Sequence, residues 1–162
     1  MKVLVAYDTY YGNTRLVAEA IADEFKSAGF EAEIRNLKED FQSPPQGDIL
    51  VIGTPIRMAH VPRPAKRFVK RLDKESWKGK PIITFTTIGP IKENPTEKER
   101  ETTQKWGYNP GLKFKELVKS RGFSAIEPVL YVEVKDLKGP LVDTGIERAR
   151  RYVREFLKTL AR

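Results

Sequence analysis

The sequence predicts an α/β fold in which a doubly wound, five-stranded parallel sheet forms the middle of three layers, between two layers of helices. Apolar strand-like runs alternate with helical patterns along the whole chain. Most of these strand-like runs are continuously apolar, as expected for strands buried on both faces. The length of 162 residues suits one domain with one well-buried core, so we expect residues 1–162 to form a single domain.

The first half of the chain begins with an apolar run at 3–7 that predicts a buried strand. Apolar residues at helical spacing over 14–28 predict a helix, which Gly29 ends. The alternating stretch 31–36 predicts a half-buried strand, and the proline-containing stretch 41–46 predicts a loop. A strand at 49–52 and a helix that begins at Pro62 or Pro64 follow.

The second half continues the alternation with a strand at 82–85 and a long polar segment from 86 to about 110. A helix is predicted at 112–121, ended by Gly122, and a strand at 126–134. The last helix is expected to begin at a capping box formed by Thr144 and Glu147.

The strand patterns also predict the strand order 2-1-3-4-5. The first, third and fourth strands are continuously apolar, which suits central positions. The second strand alternates and the fifth contains Pro128, which suits edges. In a sheet of that order a ligand binds beyond the carboxyl ends of strands one and three, where the turn at 9–14 lies.

The composition of the chain argues against several kinds of chemical site and segment. The absence of cysteine excludes disulfides, thiolate metal sites and cysteine nucleophiles, and one histidine, His60, makes a histidine metal site implausible. No apolar run approaches the roughly 20 residues that span a membrane, and the N-terminus enters a strand without a secretory signal pattern. We therefore expect a soluble cytoplasmic protein with neither a metal site nor a membrane span.

The chain is basic, with 30 Lys and Arg against 22 Asp and Glu and a formal net charge of +8. A surface rich in ion pairs, as in thermophiles, would contain many residues of both signs. An excess of positive charge also steers acidic partners and binds nucleic acid non-specifically. Because no basic-aromatic nucleic-acid motif is present, a solvated basic face and partner steering are the two explanations left open.

The turn after the first strand carries the clearest chemical signal. Thr9, Tyr11, Asn13 and Thr14 offer hydroxyl and amide donors, and Gly12 allows close approach of the backbone to a ligand. The helix that begins there adds unpaired N–H groups and the positive end of its dipole, which together favour a phosphate. The turn contains neither the glycine pattern of dinucleotide folds nor a P-loop.

This turn resembles the phosphate loop of the flavodoxin family, in which Thr9, Gly12, Asn13 and Thr14 match and Tyr11 stands where threonine is usual. The segment 7–14 is most similar to the flavodoxin domain of A-type flavoproteins. The segment 53–60 and the long segment after strand four are similar to oxygen-independent protoporphyrinogen dehydrogenases. Both groups use FMN, so the resemblance implies a flavodoxin-like fold that binds FMN.

The resemblance also implies a set of cofactor-binding residues. The phosphate would lie against the first loop, and the ring between the loops after strands three and four. Arg57 would lie near the pyrimidine edge of the ring, with a surface ion pair as the alternative. Trp106 and Tyr108 are candidates for stacking on the ring, with helix packing as the alternative role of Trp106. The expected set is Thr9, Tyr10, Tyr11, Gly12, Asn13, Thr14, Thr54, Pro55, Ile56, Arg57, Thr87 and Gly89.

The expected function is electron transfer through FMN, with no catalytic side chain assigned. The first alternative is an FMN-dependent oxidoreductase acting on a quinone, a protoporphyrinogen or NAD(P)H, and the second is a cofactor-free interaction module. Charge favours an acidic redox partner of ferredoxin or rubredoxin type, and the resemblance adds a quinone. Residues 91–105 form either a lid or a solvated excursion, with a short polar helix within 95–105.

Overall fold

A computed structural model describes residues 1–39 and 43–161 as a parallel sheet with helices on both faces. The strands are β1 (Lys2–Tyr7), β2 (Glu31–Asn36), β3 (Ile49–Pro55), β4 (Pro81–Ile88), β5 (Ser124–Ala125) and β6 (Leu130–Glu133). The helices are α1 (Asn13–Ser27), α2 (Arg63–Arg71), α3 (Lys74–Trp77), α4 (Glu97–Thr103), α5 (Asn109–Ser120) and α6 (Gly145–Leu160).

The strand order confirms the prediction. The described sheet runs β2-β1-β3-β4, and β5 and β6 lie one after the other along the far side of β4. All pairings are parallel: Val3 pairs with Ala32 on one side and with Ile49 on the other. The winding reverses between β1 and β3, so their carboxyl ends mark the ligand position that the topology predicts.

The prediction of one continuous strand at 126–134 is wrong, although its edge position is right. Ser124 pairs with Pro81, and Leu130 pairs with Phe85, with an unpaired stretch between the two short strands. That stretch contains Pro128, which has no N–H to donate to a ladder. A proline at the outer strand therefore divides it into two parts.

Two apolar clusters fill the spaces between the layers, because successive strand residues point to opposite faces of the sheet. Val3 and Val5 of β1 pack on the side of α1 and α6. Leu4 and Ala6 pack on the other side, against α2, α5 and the fully buried ring of Trp77. Trp77 belongs to the short helix α3, which the sequence patterns did not predict.

The helix boundaries agree with the glycine and proline signals, but the capping box at Thr144 is a wrong prediction. The Thr144 side chain makes no capping hydrogen bond, and Glu147 instead pairs with Arg154. A capping box forms at the start of α4, where the Glu99 N–H donates to the Thr96 hydroxyl (3.1 Å). The segments 96–99 and 144–147 both have the threonine and glutamate that a capping box requires, and only their backbone conformations differ.

The polar segment after β4 contains the short polar helix that was predicted, as α4. A π-helical turn over Gln104–Tyr108 joins α4 to α5. In the predicted loop at 41–46, Phe41 and Gln42 lie outside the described residues. Across the described ranges, none of the helices combines the length and apolarity needed to cross a membrane.

Candidate functional site

A cavity of about 240 Å³ opens at the carboxyl ends of β1, β3 and β4. Ten of the twelve residues expected from the sequence line it, and Gly12 and Thr54 do not. Four further residues complete its wall, two of them from the segment after β6. The lining is Thr9, Tyr10, Tyr11, Asn13, Thr14, Pro55, Ile56, Arg57, Met58, Thr87, Ile88, Gly89, Val134 and Leu137.

The turn after β1 is held by its own hydrogen bonds. The Gly12 N–H donates to the Thr9 hydroxyl oxygen (2.9 Å), and the Leu16 N–H donates to the Gly12 carbonyl (3.2 Å). Gly12 adopts a φ of 91°, a left-handed conformation that glycine reaches without the steric cost of a side chain. Gly12 therefore allows the conformation of the turn without lining the cavity itself, whereas its neighbours Tyr11 and Asn13 line the cavity.

The first turn of α1 offers donors to an anion. No side chain caps the helix and no acidic residue lies in its first turn. Among the described residues, no hydrogen bond uses the backbone N–H of Asn13, Thr14 or Arg15. The Thr14 and Thr87 hydroxyl oxygens lie 2.8 Å apart and are buried, which ties the helix start to β4. Free N–H groups at the positive end of a helix favour a bound phosphate.

Tyr10 is the aromatic ring that the cavity wall presents between two cations. The Arg57 guanidinium lies 3.9 Å from the ring centroid, and the Lys38 ammonium lies 4.1 Å from it. Lys38 also donates a hydrogen bond to the Thr9 carbonyl (2.7 Å). Cation–π contacts of this kind hold the two long side chains in place at the cavity.

The stacking candidates from the sequence lie elsewhere. Trp106 and Tyr108 belong to the π-helical turn and do not line the cavity. Tyr108 packs edge-to-face on Tyr131 instead, with 4.8 Å between ring centroids. The resemblance to flavodoxins suggested an aromatic ring from the segment after β4, whereas the fold brings Tyr10 and Tyr11 of the first loop to the cavity.

The loop after β3 forms a tight turn. The Arg57 N–H donates to the His60 carbonyl and the His60 N–H donates to the Arg57 carbonyl, both at 2.9 Å. Met58 and Ala59 between them have φ values of 49° and 65°, the left-handed region that costs such residues about 1 kcal/mol each. The turn fixes Met58 at its tip, where the side chain is 82 % exposed.

The segment after β6 is the part of the site that sequence reasoning missed. An antiparallel bridge between Val134 and Leu141 folds it back, and the Asn13 amide donates to the Lys138 carbonyl (3.2 Å). A Cβ at Gly139 would come within 2.6 Å of the Asn13 side chain, so the contact needs glycine there. The Gly-Pro pair at 139–140 was a turn signal, but nothing in the sequence indicated that the turn returns to the first loop.

Asp8 is a buried carboxyl at the end of β1. It is fully buried, and neither carboxylate oxygen has a hydrogen-bond partner among the described residues. The neighbouring Thr54 hydroxyl donates to the Pro55 carbonyl instead (3.4 Å). Burial raises the pKa of Asp8 to about 6, while Thr54 and the positive charge of Lys38 oppose the rise.

A larger groove of about 910 Å³ lies along the outer edge of the sheet, between α5 and α6. Tyr131 and Tyr152 line it, and their hydroxyls donate to backbone carbonyls of Tyr108 and Pro128. It lies away from the turn after β1 and from the free N–H groups of α1. The smaller cavity therefore has the donors that an anionic ligand requires, although the groove has more volume.

The sequence matches the family model described as a flavodoxin domain over residues 4–118. The chain belongs to the flavodoxin family. The match spans β1 through most of α5 and includes the turn after β1, so it covers three of the four segments that meet at the cavity. The segment after β6 lies outside the matched residues.

Solved structures share the fold of this flavodoxin domain at low sequence identity. A flavodoxin from the domain Archaea superposes with a TM-score of 0.75 at 18 % identity, with each chain covered completely. Oxidised flavodoxin 1 from Bacillus cereus gives 0.70 at 19 %, with 98 % of each chain covered. Rubredoxin:oxygen oxidoreductase from Desulfovibrio gigas gives 0.70 at 17 %, over 99 % of this chain and 36 % of that one. A sequence comparison with curated proteins gives no match.

Proposed function

We propose that this flavodoxin domain binds one FMN non-covalently in the cavity at the ends of β1, β3 and β4 and transfers electrons. The observation that carries the proposal is the uncapped start of α1, where free backbone N–H groups meet hydroxyl and amide side chains. Family membership and a solved flavodoxin from Fusobacterium nucleatum described as bound to flavin mononucleotide support FMN as the cofactor.

The proposed contacts are the twelve residues expected from the sequence, ten of which line the cavity. The turn formed by Thr9 to Thr14 binds the phosphate, with Gly12 shaping the backbone. The loop of Thr54 to Arg57 lies along one side of the ring, and Thr87 and Gly89 lie along the other. FMN supplies one- and two-electron redox chemistry when bound. The chain positions it, and the Arg57 charge favours the reduced, more negative form.

The size of the cavity supports electron exchange with another protein. About 240 Å³ is below the range of roughly 300–1,000 Å³ that encloses a small-molecule ligand, so part of a mononucleotide would stay at the surface. The partner we propose is a redox protein, with an acidic ferredoxin or rubredoxin favoured by the net charge of +8 and a quinone as the alternative. The cytoplasm is the expected location.

Titration with FMN, followed by quenching of flavin fluorescence, tests the proposal, with riboflavin as the control ligand. We expect FMN to bind at least about a hundredfold more tightly than riboflavin, since charge-assisted hydrogen bonds to a phosphate are strong. The variant Thr14→Val removes a hydroxyl from the cavity wall and should reduce this preference. Thr84→Val is the matched control, because its hydroxyl is buried without a described partner and does not line the cavity.

Binding of neither flavin by the folded wild-type protein would overturn the cofactor assignment and favour the cofactor-free interaction module. An equal loss of FMN affinity in both threonine variants would show that Thr14 acts only through the fold. Steady-state turnover of a quinone, a protoporphyrinogen or NAD(P)H by the FMN-loaded protein would favour the enzyme alternative over the electron carrier.

A further inference from the structure

Exposed apolar side chains concentrate at the mouth of the cavity. Met58 is 82 % exposed and Leu137 is 78 % exposed, the two highest values among the large hydrophobic residues in the described ranges. Tyr10 and Tyr11, also exposed, lie beside them on the same cavity wall. Contiguous exposed apolar surface marks an interaction site more often than isolated exposed residues do.

Three cations lie near the two tyrosine rings of this surface. Lys38 and Arg57 flank the Tyr10 ring, and Lys138 lies 5.9 Å from the centroid of the Tyr11 ring. Within residues 1–39 and 43–161, none of the three forms an ion pair with a carboxylate. Other parts of the basic surface are neutralised, as where Lys115 and Lys119 share Glu127. The charge at the mouth is therefore available to a partner.

The surface is also held in shape before a partner arrives. The turn that presents Met58 is closed by two backbone hydrogen bonds between Arg57 and His60. The segment that presents Leu137 and Lys138 is fixed to α1 by the Asn13 amide. Binding to a preorganised surface loses less conformational entropy than binding to mobile loops.

We infer that Met58, Leu137, Lys38, Arg57 and Lys138 form the docking surface for an acidic redox protein, which combines exposed apolar side chains with cations that form no ion pair among the described residues. The inference rests on the proposed function, because it places the partner where the exposed part of FMN would lie. A carboxylate-rich partner complements these cations, and protein interfaces commonly combine buried apolar contacts with charged residues around them.

Electron transfer to an acidic rubredoxin tests the inference. The FMN-loaded protein is first reduced photochemically and then mixed with oxidised rubredoxin in a stopped-flow instrument. One electron leaves the reduced flavin and converts the ferric iron to ferrous iron, which bleaches the visible absorbance of rubredoxin. Rates are measured at about 20 mM and about 500 mM salt, since the Debye length falls several-fold between them.

Lys138→Glu is the informative variant, because the Lys138 side chain makes no described hydrogen bond or ion pair while its backbone contact with Asn13 is retained. Lys78→Glu makes the same change of net charge on an exposed residue just before β4, at the opposite end of the sheet. At low salt we expect Lys138→Glu to slow the second-order rate about fivefold or more and Lys78→Glu less than about twofold. At high salt the variants should converge.

Equal slowing by Lys138→Glu and Lys78→Glu, or a wild-type rate that does not change with salt, would overturn the docking surface. The FMN dissociation constant of each variant is measured in parallel and separates this outcome from failure of the proposed function. If the wild-type protein binds no FMN, the proposed function fails. In that case the affinity of rubredoxin for the FMN-free protein, measured by calorimetry, tests the docking surface separately. A loss of affinity in Lys138→Glu but not in Lys78→Glu would support the surface, and no binding of rubredoxin to the wild-type protein would reject it.

Discussion

Replacing Asp8 with asparagine should stabilise the protein, and the gain should depend on pH. Asp8 is fully buried without a described hydrogen-bond partner, and burial raises its pKa from 3.8 to about 6. Because the folded-state pKa is about 6, the Asp8 carboxyl is ionised at neutral pH although it is buried, and Thr54 and the charge of Lys38 offset the cost of burial only in part. Asparagine has a similar shape and removes that charge.

The sign and size follow from proton linkage. Because the pKa of Asp8 is higher in the folded protein, the folded state binds more protons between about pH 4 and 6, and stability falls as pH rises through that window. At 1.36 kcal/mol for each pKa unit, the full penalty above about pH 7 is about 3 kcal/mol. Asp8→Asn should therefore add about 2–3 kcal/mol to the free energy of unfolding at pH 8 and almost nothing near pH 4.

Urea unfolding of the FMN-free protein across pH 4 to 8, followed by tryptophan fluorescence, measures this difference. Buried Trp77 reports on the core during unfolding. Asp23→Asn, at an exposed position of α1, is the control and should change stability by less than about 0.5 kcal/mol at every pH. A gain for Asp8→Asn that is the same at pH 4 and pH 8, or a loss at pH 8, would refute the account of Asp8 as a buried charge whose burial costs more than its neighbours return.

Two further perturbations follow from the site and the sheet. In Gly53→Ala the new Cβ would lie 2.0 Å from the Phe85 ring, so we expect a loss of about 3 kcal/mol in urea unfolding. Gly89→Ala, with nothing within 4 Å of the added Cβ, should be near neutral, and equal losses in the two variants would contradict the steric argument. Arg57→Gln should make the potential of bound FMN more negative by about 30–60 mV in potentiometry, the equivalent of about 1 kcal/mol for one electron. An unchanged potential would show that the Arg57 charge does not reach the flavin.

The arrangement of the sheet was predictable, because a strand that is buried on both faces is rich in apolar residues along its whole length. Strands β1, β3 and β4 are mostly apolar and buried almost throughout, and the outer strands alternate or contain Pro128, so the strand order could be predicted before any contact was known. The turn at 9–14 was equally predictable, because a predicted helix start, a glycine and short polar side chains occur together within six residues. A helix start has free N–H groups that can bind a phosphate.

Local sequence could not show which of two capping-box patterns forms the hydrogen bonds. Thr96 with Glu99 and Thr144 with Glu147 have the same capping-box spacing, yet only the first pair makes the hydrogen bonds. At Thr144 the backbone is already in the helical region, with φ of −86° and ψ of −3°, because the chain enters α6 from the turn before it. The conformation of that turn depends on packing beyond the capping residues.

The sequence by itself determined the fold class, the strand order and the position of the cavity, because these depend on local pattern and on the general topology of parallel sheets. Its resemblance to the flavodoxin family added the residues expected from the loops after the third and fourth strands. Only the tertiary structure brought Leu137 and Lys138 to the first loop through Asn13, and set Tyr10 between Arg57 and Lys38. Those contacts join residues up to 125 positions apart in the chain. They are fixed by how loops close over the sheet, for which the sequence has no periodic signal.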